Sequence, residues 1–509
     1  MTAGARLAVT TGVLLGAGFG WSVGGSVGAG IGLALGLTLL VVPFRRQPLW
    51  SWAAIFLRRN RPMDLLVPST VANDRCGGGV RYQDGVAVTA IQILGMPFQP
   101  THFTGSTSAT TPNSLDLGEL FPLMRHGLGL AVESMSIVSA GSRRRGSGDY
   151  PRVYDTLIGT PPYAGRRETW LLIRVSALEN GDALRWRPTI GTAALSAAQR
   201  IAVMLRCKGI RARVATSTDI ADLDKRLGAS ALEPHNRRWH TLRGDTGWQT
   251  SYAYRAGDLS SAVLDQAWTL RADAIVQNVT LYPDGTGSAT VTVCTPQPPT
   301  ACPSVMLQTL PGEQAQTLAA ALCGPRPDIR CLGRAELPDS LVIPVGPSGV
   351  LLGRTAGGDR LSLPFGDPGE QTRIHIVAED AIAKRIIIRA AGAGDRVTVH
   401  STDIARWESV RMPDVAVIEH PRPAAGTTLS VLDGTVSPAP RPQTVISVDP
   451  AGTATESTAD VVVVQTGPQS VEVTAAGRSY EVDMEFFRAE NRYMGAGSQA
   501  VVADMETVE

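Results

Sequence analysis

No aspartate or glutamate occurs among the first 62 residues of this 509-residue chain. The same stretch holds six arginines: Arg6, Arg45, Arg46, Arg58, Arg59 and Arg61. Other scarcities narrow the possible functions. Six cysteines in 509 residues do not make a disulfide scaffold. Charged residues are 18% and hydrophobic residues 43%, which excludes a wholly disordered chain. Forty-seven basic against 46 acidic residues leave +1, so no global charge points to a nucleic-acid partner. A mean hydropathy of +0.03 argues against a polytopic transporter. No G-x-x-x-x-G-K-[ST] loop is present, and no G-x-G-x-x-G follows the apolar runs at Ile173 or Val377. Beyond residue 62 no G-x-S-x-G elbow occurs, and H-E-x-x-H is missing too.

What is present begins with a membrane signal. Between Arg6 and Arg45 lie 38 uncharged residues, mostly Gly, Ala, Val and Leu. As one helix they would extend about 57 Å, nearly twice the hydrocarbon core of ~30 Å. A two-helix transmembrane hairpin fits better, with crossings at residues 7–21 and 27–44 and an interfacial turn at Trp21, Ser22, Gly24, Gly25 and Ser26. A cleaved signal peptide followed by an anchor, or a single tilted span, is the alternative. Arg45 and Arg46 follow the second run directly, while the turn is uncharged. The positive-inside rule then places both termini in the cytoplasm of a multi-pass inner-membrane protein. Residues 45–62 read as a basic interfacial linker, with Trp50 and Trp52 at headgroup level beside Arg58, Arg59 and Arg61. Gly12, Gly16, Gly20, Gly24, Gly28, Gly32 and Gly36 recur every four residues. Such a stripe lets backbones approach closely, and the turn is expected to break it near Gly24.

Residues 63–425 read as a mixed α/β soluble region with βαβ units, divisible into lobes 63–300 and 301–425. Runs on either side of Asp84-Gly85 and of residues 283–287 predict hairpins. Residues 115–130 show helical spacing. A strand at 170–175, a helix at 192–207 and a strand at 211–215 form one strand–helix–strand unit; residues 372–400 form another. Such units call for a covered, mostly parallel sheet. Both end in the same tetrapeptide, Ser217-Thr218-Asp219-Ile220 and Ser401-Thr402-Asp403-Ile404, a thin hint of duplication. Residues 426–494 read as a β-rich extension, and 495–509 as a disordered tail.

Candidate chemistry is sparse. Asp222-Leu223-Asp224 is a D-x-D string of the kind that holds a nucleotide-sugar cation, set against an acidic cluster answering a helix dipole. Glu233, His235 and His240 have the wrong pitch for one helix face and read as a solvated loop. Arg143, Arg144 and Arg145 sit in a polar loop. Cys294-x7-Cys302 and Cys323-x7-Cys331 do not match zinc spacing; they are free thiols in the cytoplasm and disulfide candidates outside it. No cofactor or metal site is expected.

Several strings, taken in order, resemble the EccE family, a membrane component of the mycobacterial type VII (ESX) secretion machinery. They are the two-helix start; Val80-Arg81-Tyr82-Gln83-Asp84-Gly85; Pro151-Arg152-Val153-Tyr154-Asp155-Thr156-Leu157-Ile158-Gly159; Gly165-Arg166-Arg167-Glu168-Thr169-Trp170; Gly353-Arg354-Thr355-Ala356-Gly357-Gly358-Asp359; and Val397-Thr398-Val399-His400-Ser401-Thr402-Asp403 with Arg406-Trp407. The resemblance runs to about residue 410 and leaves the part after 425 unmatched. It implies a non-catalytic structural subunit with a glycosyltransferase-like cytoplasmic fold, partnered by EccB, EccC and EccD, of which EccC is the ATPase. On this reading the hairpin packs through Gly12, Gly16, Gly20, Gly28, Gly32 and Gly36. Arg45, Arg46, Arg58, Arg59, Arg61, Trp50 and Trp52 set topology and touch membrane lipid. The competing readings are a membrane-anchored glycosyltransferase-like enzyme working through Asp222 and Asp224, and a generic envelope binding module.

Overall fold

The computed structural model describes residues 3–41, 43–44, 47–73, 77–144, 148–434, 436–454 and 458–495. Arg45, Arg46, Arg145 and the tail beyond Gly495 lie outside the described residues. The helical segment α1 (Ala3–Val41) is the one candidate membrane span among the described residues. It departs from helical geometry at Gly24 (φ −141°, ψ 20°) and Gly25 (φ 61°, ψ −139°). The positive φ at Gly25 is open to glycine without steric penalty. Gly20 lies against Gly28, and Gly16 against Gly32. An unbroken helix would hold these pairs about 12 Å and about 24 Å apart, so the segment folds back on itself at the glycine pair.

After the short helix α2 (Leu49–Arg58) the chain builds two large sheets. The main path of the first runs Leu242–Arg243, Trp248–Tyr254, Thr286–Thr295, Ala274–Leu281, Ser134–Ser142, Arg166–Ser176, Val86–Gly95, Gly77–Gln83 and Ser69–Ala72. Both expected hairpins are here. Asp84 (φ 52°) and Gly85 (φ 78°) make the doubly left-handed turn whose twist suits paired strands. The second hairpin joins Ala274–Leu281 to Thr286–Thr295. Alternate residues of the central strands face opposite ways. Ile91, Leu171 and Ile173 pack in the core beneath the helix Ile190–Cys207, which buries Ala194, Leu195, Ala198, Ile201, Ala202 and Leu205. Val88, Ala90, Trp170 and Leu172 pack beneath the helices Ser217–Arg226 and Gln314–Ala321.

The mostly parallel arrangement expected for this first unit is not what forms. Arg166–Ser176 and Arg211–Val214 do run the same way, but Val86–Gly95 lies between them and pairs antiparallel with both. A strand from elsewhere in sequence has entered the gap that the crossover leaves. The region 115–130 also differs: it is a short strand, Ser114–Asp116, followed by 3-10 turns. Pro122 removes a helix donor, and Leu128 takes a left-handed φ of 59°.

The second sheet is where parallel pairing occurs. Val415–Ile418, Val397–Ser401, Leu429–Asp433, Thr444–Asp449, Thr372–Val377 and Val461–Gln465 are neighbours in that order, and every pair is parallel. The sheet continues antiparallel through Ser470–Ala475, Arg478–Asp483, Val350–Thr355, Arg360–Leu363, Thr101–Thr104 and Ser108–Thr110. Residues beyond 425 are therefore not an appended β-rich extension. They supply central strands, because the Val-rich run Val461–Gln465 is apolar enough to pair beside the buried Thr372–Val377. Nor does residue 300 separate the two sheets, since Thr101–Thr104 and Ser108–Thr110 belong to the second. The helix Asp380–Ala393, almost wholly buried, crosses one face of this sheet and packs on α3 (Tyr150–Ile158).

The end of the described chain is pinned to the same place. Glu490 is fully buried, 2.8 Å from Arg389 and 3.7 Å from Arg385, and accepts a hydrogen bond from the Tyr150 hydroxyl at 2.8 Å. A buried carboxylate is tolerable only with such partners. The pair fastens the Arg488–Tyr493 turn to two helices from earlier in the chain.

Candidate functional site

The membrane-proximal junction starts from α2. Pro48 precedes it, a residue suited to a helix start, and Arg58 in its last turn answers the helix dipole. Ser51 and Ile55, one turn apart, are buried against the body, while Phe56 and Leu57 are 51% and 79% exposed. Gly312 makes room for the buried face. A Cβ there would stand 2.6 Å from Ile55 Cγ2 and 2.8 Å from the Trp239 ring, and its φ is +76°. Trp239 is ringed by Trp52 at 6.4 Å and Phe56 at 6.3 Å between centroids. Arg59 stacks 3.8 Å over Phe56. Arg237 closes the helix end, donating to the carbonyls of Arg59 (3.3 Å) and Arg61 (2.5 Å) and, through Nε, to Leu232 (2.7 Å). Burial lowers the Arg237 pKa, opposed by the charge of Asp64.

Beside these groups is a cavity of about 260 Å³, lined by Arg59, Asn60, Arg237, Arg238, Trp239 and neighbours. Arg237, Arg238 and Trp239 were not singled out from the sequence. Their signal was available in the run Arg237-Arg238-Trp239, which repeats the Arg–Trp composition of residues 45–62.

The other expected residues are dispersed. Gly16, Gly20, Gly28 and Gly32 meet across the α1 fold-back. A Cβ on Gly16 would lie 2.8 Å from the Gly32 carbonyl oxygen, and one on Gly28 would lie 3.0 Å from the Gly20 carbonyl carbon. Gly36 lies against Val13, with Gly12 beside it. Gly24, Gly18 and Gly30 have nothing within 4 Å of an added Cβ. Arg58 reaches Asp328 at 4.0 Å, and Arg61 is exposed. Trp50 falls in α2, but its side chain is outside the described residues, as Arg45 and Arg46 are altogether.

The candidate chemical groups have structural partners. Asp222 and Asp224 do not sit at a helix start, because their helix begins at Ser217, capped reciprocally by Thr216 and Asp219. Asp222 is exposed. Asp224 is buried, 2.7 Å from Arg81, and accepts from the Cys323 amide at 2.9 Å. Its charge is therefore spent joining two parts of the body. His235 pairs only with Glu233, at 3.5 Å on the surface, and no group of metal-capable side chains forms among the described residues. Burial, then Asp224, pushes the Cys323 thiol up to about 12; burial, then Glu313, does the same to Cys331. Thiols held protonated are poor nucleophiles. Arg143 is buried, paired with Asp155 at 2.9 Å and donating to the carbonyls of Gly159, Pro161 and Trp268.

Comparison with known proteins places this anchor and body in a family. The family model for EccE, a type VII ESX secretion system translocon, matches residues 163–254. The ESX-2 secretion system protein EccE2 of Mycobacterium tuberculosis is 49% identical over 479 residues, covering 90% of this chain and 89% of the relative. The ESX-1 secretion system protein EccE1 of the same species is 28% identical over 377 residues, covering 70% and 74%. That of Mycolicibacterium smegmatis is 26% identical over 330 residues, covering 63% and 64%. Identity sustained across nine-tenths of both chains shows that this chain belongs to the EccE family, the structural membrane subunits of type VII secretion.

Proposed function

We propose that the chain is a non-catalytic scaffold of its secretion complex, crossing the inner membrane twice with both termini in the cytoplasm. The observation that carries this reading is the fold-back of α1, which seats Gly16 on Gly32 and Gly20 on Gly28. Two crossings, of 21 and 16 residues on either side of Gly24–Gly25, suit a bilayer better than one of 39. The uncharged turn at Gly24–Gly25 faces out, and the arginines after Phe44 stay in. Arg45, Arg46, Arg58, Arg59 and Arg61 with Trp50 and Trp52 hold that orientation at the lipid headgroups.

The α/β body then docks on EccB, EccC and EccD-type subunits from the cytoplasmic side. Its glycosyltransferase-like character rests on the strand–helix–strand unit Thr372–Val377, Asp380–Ala393 and Val397–Ser401. Asp222 and Asp224 lie in the other sheet's half, one exposed and the other neutralised by Arg81, which supports a structural role over sugar transfer.

Topology tests the reading directly. A cysteine placed at Ser22 should react with a membrane-impermeant thiol reagent in intact spheroplasts, while one at Asn60 should react only after lysis. Labelling of Asn60→Cys from outside would overturn the cytoplasmic assignment.

A further inference from the structure

The cavity beside α2 has a chemistry of its own. Its floor is Trp239, and its walls include Arg59 and Arg238, from segments almost 180 residues apart. Arg237 is occupied by three backbone carbonyls, so its work is positional: it ties the 234–239 turn to the end of α2. Arg238 is exposed, and its described hydrogen bonds, to the carbonyls of His235 and Arg237, use Nη1 alone. The Nε and Nη2 side of the guanidinium is the edge that meets phosphate oxygens in pairs. Next to this basic cavity, Phe56 and Leu57 are presented outward from a short helix. Only seven residues separate α1 from α2, a reach of at most about 25 Å from the end of the membrane segment.

We propose that α2 and the 234–239 turn together form a binding site for the headgroup of an anionic phospholipid, seated between Arg59 and Arg238 over Trp239. Phe56 and Leu57 enter the acyl boundary beside it. The occupant is a leaflet lipid because the basic cavity and the exposed apolar pair lie side by side at the membrane exit, which matches an amphiphile with a negative head. The consequence is mechanical. The body is held against the leaflet in one orientation, at a second point besides the linker. This inference rests on the reading of α2 as a lipid-contacting helix and adds the turn from the folded body.

The test uses the full chain in nanodiscs of phosphatidylcholine with and without phosphatidylglycerol, followed by hydrogen exchange. Phosphatidylglycerol should slow exchange of the 234–239 turn by about fivefold, the effect of one arginine at an anionic surface. Arg238→Glu should abolish that slowing, and Arg238→Lys should keep part of it; the side chain is exposed, so neither variant threatens folding. Inorganic phosphate added to neutral discs should not reproduce it. Protection of residues 49–58 by phosphatidylglycerol without protection of the turn would overturn this inference and leave the α2 reading standing. No lipid response in either segment would overturn both. Full protection by phosphate alone, or an unchanged response in Arg238→Glu, would also reject the lipid site.

Discussion

Two titratable side chains give the body opposed pH responses. Burial, then the charges of Arg200 and Arg187, bring the His126 pKa down from 6.5 to about 4. The unfolded chain therefore binds more protons between pH 6.5 and 4, and His126 removes stability as pH falls through that window. Burial, opposed by Arg167, raises the Asp265 pKa from 3.8 to about 6. Here the folded chain binds more protons, and stability is lost as pH rises from 3.8 to 6. Thermal melting of the detergent-solubilised chain separates the two. Relative to the parent, His126→Gln should gain melting temperature as pH drops from 7 to 5, and Asp265→Asn should gain it as pH rises from 4 to 6.5. Curves parallel to the parent in both variants would show that neither group titrates as described.

At this scale the sequence was least legible. An arginine in a strand or a polar loop reads as solvated until its partners are known. Arg174 is buried against the carbonyls of Ala320, Leu322 and Gly324, and Arg143 against those of three other residues. Those acceptors are brought up by tertiary structure, from as far as 150 residues away. Asp224 was visible as half of a D-x-D string, but nothing near it in sequence announces Arg81.

Among the elements, local signals carried further. The Asp84-Gly85 turn and the Ile190–Cys207 helix are short-range patterns, and each has its counterpart in the structure. The matched tetrapeptides show where such patterns stop. Asp219 sits three residues into its helix and answers Thr216, whereas Asp403 is itself the cap, accepting from the Arg406 amide. One belongs to an antiparallel sheet and the other to parallel strands, so the repeat reflects turn chemistry. Pairing of the strands after residue 425 with Thr372–Val377 is non-local and left no periodic trace.

The glycine stripe yields an element-scale prediction. Leucine at Gly20 or Gly28 cannot be accommodated without driving the two halves of α1 apart, because the space is filled by backbone. At Gly18 or Gly30 an added Cβ would meet nothing within 4 Å in the chain itself. Gly20→Leu should lower incorporation into the secretion complex by about an order of magnitude, as judged on native gels after mild extraction. If Gly18→Leu or Gly30→Leu has the greater effect, the stripe that matters faces a partner subunit and not the fold-back.

Over the whole molecule, the net charge of +1 conceals a division of labour. Residues 1–62 hold six basic and no acidic residues, and the other 447 hold 41 basic against 46 acidic. A basic membrane-facing end is thus joined to a mildly acidic body. That body is two interleaved sheets, each braced by a buried ion pair, Arg81–Asp224 in one and Arg389–Glu490 in the other. The most direct measurement is affinity purification of the tagged full chain from membranes in mild detergent, with mass-spectrometric identification of what accompanies it. The account predicts the other membrane subunits of one type VII secretion complex in constant proportion to the chain. Recovery of the chain alone under conditions that preserve the complex would contradict it.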